Sequence, residues 1–469
     1  GLAAKLKDFA SANSVTLPIL VQSLWAVLLG METGARRDVA FGVVTSGRPA
    51  ELPGSERTVG LFIQTLPVRA RWEAGDAFSR LLTDLKEQSL AQMQHGYLPL
   101  PAIGRDLFDH LLVFENYPYE RTFDGGAVEL ARVDGFERIP YPLGISVVLG
   151  NGLLFRFLYD PARLDRDYVQ GLGAKILALL EAVAARSEIV CRDLESTLIG
   201  AAGGQSPASA SLTSDDERSG VISVLEMPVE APATQAAAPR GIETALLGIY
   251  ESVLGCPVPS VDGDFFRLGG HSLLAMRVVA QVSKAFSVRL TIDDVMRHCS
   301  VRKLARFIEG ATAPVERLSA GPAKEKFPLS SSQMRLWFLQ RLHEDSRVHL
   351  IPFAARLSGS VNRDALQEAL SLLERRHDAL RLRVSATEPE QRLVPPGQLR
   401  LEYFDRPFSA EEMARVEMPF GFENPLVRVA LFREPDGGFV LTFCAHHIVF
   451  DGWSAEIFVR ELNQAYAAV

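Results

Sequence analysis

Between residues 17 and 30 the chain reads LPILVQSLWAVLLG, apolar on nearly every side. This pattern predicts a buried helix with Thr16 near its N-cap, Pro18 in its first turn and Gly30 past its end. Strand and helix periods then alternate. VAFGVV (39–44) and DHLLVF (109–114) read as strands, and FSRLLTDLKEQSLAQM (78–93) reads as a helix with Phe78, Leu81, Leu82 and Leu85 on one side. ISVVLGNGLLFRFLYD divides into two strands joined at Gly150, Asn151 and Gly152, where glycine tolerates the positive φ of a tight hairpin. YVQGLGAKILALLEAVAA closes this first unit, residues 1–190, as a helix, and the alternation marks it as mixed α/β. From 191 to 240 the periods give way to Ala, Ser, Gly and Pro. Such a stretch buries too little apolar surface to offset its ordering entropy, so a flexible linker is expected, with a short ordered piece around VISVLEM. Helical periodicity returns over 241–312 in IETALLGIYESVLG, SLLAMRVVAQVSKAF, TIDDVMRH and VRKLARFIEG. A second linker, 313–326, leads to another α/β stretch over 327–469.

A length of 469 residues suits about three units of roughly 150 residues each. The net charge of −8 directs expectation away from nucleic acid and anionic membranes and toward proteins and small molecules. The run at 17–30 is shorter than the roughly 20 residues of a bilayer span. No signal-peptide order is visible at the N-terminus, and the start without Met suggests a piece of something longer. Cys191, Cys256, Cys299 and Cys444 lie far apart with no CxxC pair. That speaks against a zinc knuckle or a disulfide framework, predicts no metal site, and fits a reducing cytoplasm.

Within GGHSLLAM (269–276), one serine follows Gly-Gly-His at the start of an apolar helical stripe formed by Leu273, Met276 and Ala280. Ser272 thus stands at a helix N-terminus, where unpaired N–H groups and the dipole favour an anion. An ordinary N-cap would account for a lone serine there. The longer stretch DFFRLGGHSLLAMRVV (264–279) resembles a peptidyl carrier domain of a nonribosomal peptide synthetase. The resemblance implies phosphopantetheine carried covalently on Ser272 and a phosphopantetheinyl transferase that installs it. His271 is similar to the peptide-type carrier and has no expected catalytic role.

Near the far end, the strand pattern GFVLTFCA (438–445) runs into His446 and His447, followed by Asp451 and Gly452. Successive strand residues face opposite ways, so only one histidine faces a given cleft. A neutral imidazole there could accept a proton from an amine or orient it. Asp451 could organise the turn or the imidazole, and Gly452 lets backbone approach a ligand. Two adjacent histidines alone would read as a structural strand end. HHIVFDGWS, however, is similar to the HHxxxDG signature of condensation domains in the same synthetases. PLSSSQMRLWFLQRL (328–342) and RRHDALRLRV (375–384) extend the likeness. It implies that His447 is the functional histidine, that Asp451 is largely structural, and that Arg335 pairs with Asp451 through an Arg–carboxylate fork. The chain departs from the family at VHLIPF, where relatives often have Tyr-Asn before Pro-Phe. The motif resembles condensing rather than epimerising or heterocyclising members.

The first unit resembles the C-terminal lobe of a condensation domain through GLAAKLKDFASANSVTLPILVQSLWAVLLG, VVTSGRPAELPGSERTVGLFIQTLPVR (43–69) and LFDHLLVFENYP (107–118). Gln64-Thr65-Leu66 replaces the usual Asn-Thr-Leu. No HHxxxDG precedes residue 190, so this lobe's own motif is expected before residue 1. The expected fold is multidomain: chloramphenicol-acetyltransferase-like α/β lobes flanking a four-helix carrier domain. Residues 1–190 would be the C-terminal lobe of an upstream condensation domain, and 327–469 the N-terminal lobe of a downstream one. The two are not expected to pack on each other, because the family residues that normally join lobes are absent. The linker is too short for an adenylation domain, so one acting in trans is expected, the alternative being that sequence has been deleted there. The resemblance implies amide formation between aminoacyl or peptidyl thioesters presented by this and neighbouring carrier domains and modules. Two alternatives are a non-catalytic carrier and docking scaffold, and an acyltransferase acting on a soluble acceptor.

Overall fold

The structure, a computed structural model, describes residues 1–49, 52, 54–96, 98, 100–104, 107–115, 129–135, 140–149, 153–201, 221–223, 241–266, 268, 270, 272–286, 288, 290–310, 324–358 and 361–469. It opens with α1 (Leu2–Ala12) and α2 (Leu17–Glu32). Pro18 sits in the first turn of α2, where its missing N–H forfeits no helical bond. Gly30 lies inside α2 rather than past its end. A β-carbon there would come within 2.3 Å of the Arg36 carbonyl and 2.8 Å of the Trp72 ring, so the glycine serves close packing instead of termination. Among the described residues no single helix is long and apolar enough to cross a membrane, and most of α2 is buried in the protein core.

β1 (Asp38–Thr45) and β2 (Gln64–Arg71) precede α3 (Phe78–His95) and the short α4 (Leu100–Ile103). β3 (His110–Glu115), β4 (Glu129–Gly135), β5 (Leu143–Leu149) and β6 (Leu153–Tyr159) follow, then α5 (Arg166–Ala184), α6 (Cys191–Ala201) and β7 (Val221–Ser223). Six of these strands form a sheet in the order β2-β1-β3-β5-β6-β7, parallel at β1-β3-β5 and antiparallel at both flanks. Phe41, Ile145 and Phe157 meet Leu24 and Val27 of α2 and Leu180 of α5 in its core. β5 and β6 pair as the expected hairpin, although Gly150, Asn151 and Gly152 lie outside the described residues.

The linker expected from 191 begins instead with α6. Cys191, Leu194 and Leu198 enter the core of the first unit, and Glu195 accepts two hydrogen bonds from Arg37 (2.9 and 2.8 Å) and one from Trp72 (3.1 Å). The ordered piece anticipated near 221 is β7, which adds to β6 at the sheet edge.

Residues 241–310 contain α7 (Ile242–Leu254), α8 (Ser272–Phe286), α9 (Ile292–Arg297) and α10 (Val301–Gly310). Gly255, at φ +69°, ends α7 in the left-handed conformation that glycine adopts without steric cost. A capping box between Thr291 and Asp294 starts α9. α10 buries Val301, Leu304, Ala305 and Ile308, spaced as one helical face, against Leu246, Tyr250, Phe265 and Val278.

The last segment comprises β8 (Lys326–Pro328), α11 (Ser331–Leu342), β9 (Leu350–Ser358), α12 (Arg363–Arg376), β10 (Leu382–Val384), β11 (Glu390–Leu393), β12 (Leu401–Phe404), α13 (Ala410–Val416), β13 (Val427–Arg433), β14 (Phe439–His446) and α14 (Gly452–Ala468). Its main sheet runs β12-β13-β14-β9-β4. The fifth strand, β4, belongs to the first segment and pairs antiparallel with β9 from Glu129↔Ser358 to Gly135↔Phe353. This contradicts the expectation that the two α/β segments stay apart. β9 has an open edge of N–H and C=O groups, and a strand from the other segment satisfies it.

Candidate active site

β14 delivers the two histidines to different surroundings. His446, its last residue, is fully buried, with its ring edge-on to Phe422 at 5.5 Å between centroids. Its Nδ1 accepts the Ile448 N–H at 3.0 Å, so the proton sits on Nε2, which faces Gln340 Oε1 at 3.4 Å. Burial, with His349 and His447 adding to the fall, lowers its pKa to about 3. His447 opens a single 3₁₀ turn, His447–Val449, and is half-buried. Its Nδ1 lies 3.0 Å from the Phe450 carbonyl, which can only accept, so Nδ1 carries the proton and Nε2 keeps the lone pair. Burial lowers its pKa, against the opposing pull of Asp451 and the Phe450 carbonyl.

Asp451 caps α14. Its Oδ1 accepts the Ser454 N–H at 2.8 Å and lies 2.7 Å from the Ser454 hydroxyl. Its cationic partner comes from the first segment: Arg48 Nη2 approaches the two carboxylate oxygens at 3.1 and 3.4 Å, with both side chains fully buried. The Phe62 N–H donates to Asp451 Oδ2 at 3.0 Å, and the Phe62 ring stacks 4.2 Å from the Arg48 guanidinium. Arg48 also donates to the Ser55 carbonyl and, at 2.8 Å, to that of Thr58. Gly60 N–H donates to Ser454 Oγ at 3.0 Å, and Trp453 Nε1 donates to the Glu56 carbonyl at 2.9 Å. The loop after His447 is therefore held by residues 48–62 as much as by its own segment.

Arg335 does not pair with Asp451. From α11 its Nη2 donates to the Tyr141 hydroxyl at 3.1 Å, a second bond across the two segments. Asp451 is already saturated by Arg48, two backbone N–H groups and Ser454, which leaves no site for another fork. Gly452 is the first residue of α14 and has no positive φ. α11 supports the loop through Gln333, whose Nε2 donates to the Ile448 carbonyl at 3.1 Å. In the RRHD stretch, His377 Nε2 meets Glu461 Oε2 of α14 at 2.7 Å, bracing α12 against the helix that Asp451 caps.

Ser272 is the first residue of α8; His271 and Gly269 lie outside the described residues. No acidic residue occupies the first turn of α8, so nothing there opposes a phosphodiester at its free N–H groups. The approach loop is clasped: Cys299 Sγ donates to Asp264 Oδ2 at 2.8 Å, Phe266 N–H to Asp264 Oδ1 at 2.8 Å, and Phe265 N–H to the Cys299 carbonyl at 2.6 Å. Gly270 N–H closes the loop onto the Phe265 carbonyl at 2.9 Å. The residues at the serine fit a phosphopantetheine attachment point.

The chain matches the family described as condensation domain over residues 1–198 and 323–469, and the phosphopantetheine attachment site over 244–308. It belongs to the condensation-domain family. The two matched stretches are the two segments that meet at Arg48 and Asp451, and the lobes accordingly have that family's chloramphenicol-acetyltransferase-like fold. The attachment site surrounds Ser272, so covalent phosphopantetheine is the cofactor of this condensation-family chain. Over 234 residues the chain is 37% identical to the probable non-canonical nonribosomal peptide synthetase CymA of Salinispora arenicola, a match that covers 48% of this chain and 3% of that protein. Over 248 residues it is 37% identical to malpinin synthetase of Mortierella alpina, covering 49% of this chain and 3% of that one. It thus spans a small part of the relatives it matches. Among solved structures, the first condensation domain of the CDA synthetase is 20% identical with a TM-score of 0.35, covering 41% of this chain and 45% of that chain. The X-domain from teicoplanin biosynthesis is 28% identical with a TM-score of 0.28, covering 31% and 33%.

Sequence reasoning missed Arg48, Tyr141 and His349. Arg48 lies in TSGRP, inside a stretch that already carried the resemblance, and its charge between two apolar runs was the available signal. Tyr141 and His349 had no local signal. Only the meeting of the two segments gives Arg48 and Tyr141 their partners, whereas His349 sits within its own segment, where its carbonyl accepts the His447 N–H.

Proposed function

We propose that the chain is a segment of a nonribosomal peptide synthetase that forms amide bonds at His447, using acyl or peptidyl groups tethered through Ser272. The observation that carries this reading is the His447 ring: Nδ1–H is committed to the Phe450 carbonyl, and burial keeps the ring neutral, so Nε2 offers a lone pair at neutral pH. An amine held at Nε2 is oriented through one N–H; as its nitrogen bonds to a thioester carbonyl carbon the surplus proton passes to Nε2, and as the C–S bond breaks that proton goes to the departing thiolate sulfur, leaving the amide and a thiol. Arg48, Phe62 and Ser454 fix Asp451 and hence the turn that aims the imidazole. When bound, phosphopantetheine supplies a thiol on which the acyl group is held as a thioester. Ser272 is its attachment point, and the four helices of residues 241–310 are read as the carrier domain's four-helix arrangement. The same reading calls for a phosphopantetheinyl transferase, an adenylation domain acting in trans, neighbouring modules and carriers, and a cytoplasmic setting.

The test is amide formation from a soluble acyl N-acetylcysteamine thioester and a primary amine by the full chain and by His447→Ala. Removal of the base is expected to lower the rate by at least about a hundredfold. Equal rates would remove His447 from the chemistry. Intact mass after incubation with coenzyme A and a phosphopantetheinyl transferase tests Ser272 separately: one added phosphopantetheine is expected in the wild type and none in Ser272→Ala.

A further inference from the structure

α11 is turned inside out. Met334, Phe338 and Leu342 form an exposed apolar stripe, whereas the face the helix buries is Gln333, Trp337 and Gln340. Both glutamines face the histidine turn: Gln340 Oε1 lies 3.4 Å from His446 Nε2, and Gln333 Nε2 donates to the Ile448 carbonyl at 3.1 Å. Gln333 also belongs to a capping box, in which its Oε1 accepts the Ser330 N–H at 3.0 Å and Ser330 Oγ accepts the Gln333 N–H at 3.3 Å. For the cap alone glutamate would serve equally, and its charge would suit the helix N-terminus. Only a need for side-chain donors calls for glutamine. The second Nε2 hydrogen goes to Gln391 Oε1 in β11 at 2.9 Å. Gln391 Nε2 in return donates to Gln333 Oε1 at 3.0 Å and to the Pro328 carbonyl at 3.2 Å. Backbone carbonyls only accept and a backbone N–H only donates, so neither amide can turn over without losing a bond.

We propose that Gln333 is a positioning residue for amide formation, and that the reciprocal amide pair with Gln391 fixes it in that role. The inference rests on reading His447 as the amine-facing residue. Ile448 is the middle residue of the His447–Val449 turn. Its N–H donates to His446 Nδ1 at 3.0 Å and its carbonyl accepts from Gln333, so the peptides on both sides of Ile448 are held. The second of these peptides leads to Phe450, whose carbonyl takes the His447 Nδ1 proton and so leaves the lone pair on Nε2. Without the Gln333 donor that peptide can rotate, the Phe450 carbonyl moves away from Nδ1, and the imidazole exchanges both tautomer and direction. Gln391 stands in a different sheet, outside the histidine motif, and reaches the turn through Gln333.

The experiment compares the full chain as wild type, Gln333→Glu, Gln391→Met, the double variant and His447→Ala. Two quantities are measured: kcat for amide formation from a soluble acyl N-acetylcysteamine thioester and a primary amine, and the ¹⁵N resonances of the His447 ring, identified by their absence in His447→Ala. Gln333→Glu keeps the capping acceptor and removes both donors. It is expected to lower kcat about tenfold, the worth of one hydrogen bond, and to replace the wild-type pattern of one protonated and one bare ring nitrogen by averaged resonances. Gln391→Met leaves the capping box whole and is expected to change both readouts in the same direction. The double variant is expected to lose no more than Gln333→Glu, because the two residues act on the turn through one bond. A glutamine that only capped its helix would leave the ring unchanged. Wild-type ring resonances and wild-type kcat in both single variants, or losses that multiply in the double variant, would overturn the inference while leaving His447 in place. Amide formation by His447→Ala at the wild-type rate would overturn the reading of His447 and this inference with it.

Discussion

His446 and His447 are neighbours in sequence with opposite hydrogen-bonding states, and their pKa values carry consequences for the whole fold. His446 titrates near 3 when folded and near 6.5 when unfolded, and His349 near 4 against the same reference. Between those limits the unfolded chain binds protons that the folded chain refuses. Stability contributed by the two neutral rings is therefore complete above about pH 6.5 and declines as pH falls toward 4 and 3. Urea midpoints measured from pH 7.5 to 4.5 should fall, and His349→Gln should fall less steeply over the same range. A variant slope equal to the wild type would show that His349 is not buried as a neutral ring. The alternation of strand faces made different surroundings for the two histidines legible, and the structure has His446 buried at the strand end and His447 half-buried in the turn that follows. Which cation would meet Asp451 was not legible: Arg335 and Arg48 are both arginines near apolar runs, and only tertiary packing chooses between them.

At the scale of elements, most helices and strands followed from their periods, because each buries one face. The exceptions have local causes. Gly30 read as a helix end but is a point of close approach to Trp72. α6 read as linker because it runs into the Ala-, Ser-, Gly- and Pro-rich stretch that follows it, yet Cys191, Leu194 and Leu198 are spaced to enter the core on one helical face. The loop before α8 leads directly into Ser272, the proposed attachment point. A β-carbon at Gly270 would lie 2.3 Å from the Phe265 ring, which is packed at 5.0 Å from Tyr250. Gly270→Ala should therefore cost about 1–3 kcal/mol through overpacking and slow phosphopantetheine attachment, read by intact mass over time. Cys299→Ala removes the donor to Asp264 and should slow attachment, whereas Cys299→Ser keeps a donor and should retain most of the rate. Equal rates for alanine and serine would show that the clasp does not position the loop.

For the whole molecule, the decisive feature is that two distant stretches of chain close on each other around a buried ion pair. The sequence pointed to two unpaired lobes because it lacks the residues that usually join them. Strand pairing of β4 with β9 joins the two segments, and the contacts of Arg48, Phe62, Gly60 and Glu56 arise between residues some 400 positions apart. No local pattern reports such a meeting. Removing one partner of a buried pair leaves an uncompensated charge, so Arg48→Met should destabilise the docked segments by about 3–5 kcal/mol in urea unfolding. It should also disturb the aim of His447, since Asp451 caps the helix that follows it, and displacements of about 1 Å cost on the order of a hundredfold in rate. The most direct test of one site built from both segments is the rate of amide formation by the full chain carrying Arg48→Met. Secondary structure is checked by circular dichroism in the same samples. A fall of roughly a hundredfold with secondary structure retained is the predicted result. Amide formation at the wild-type rate would mean that residues 1–201 take no part in the site and that His447 works from its own segment alone.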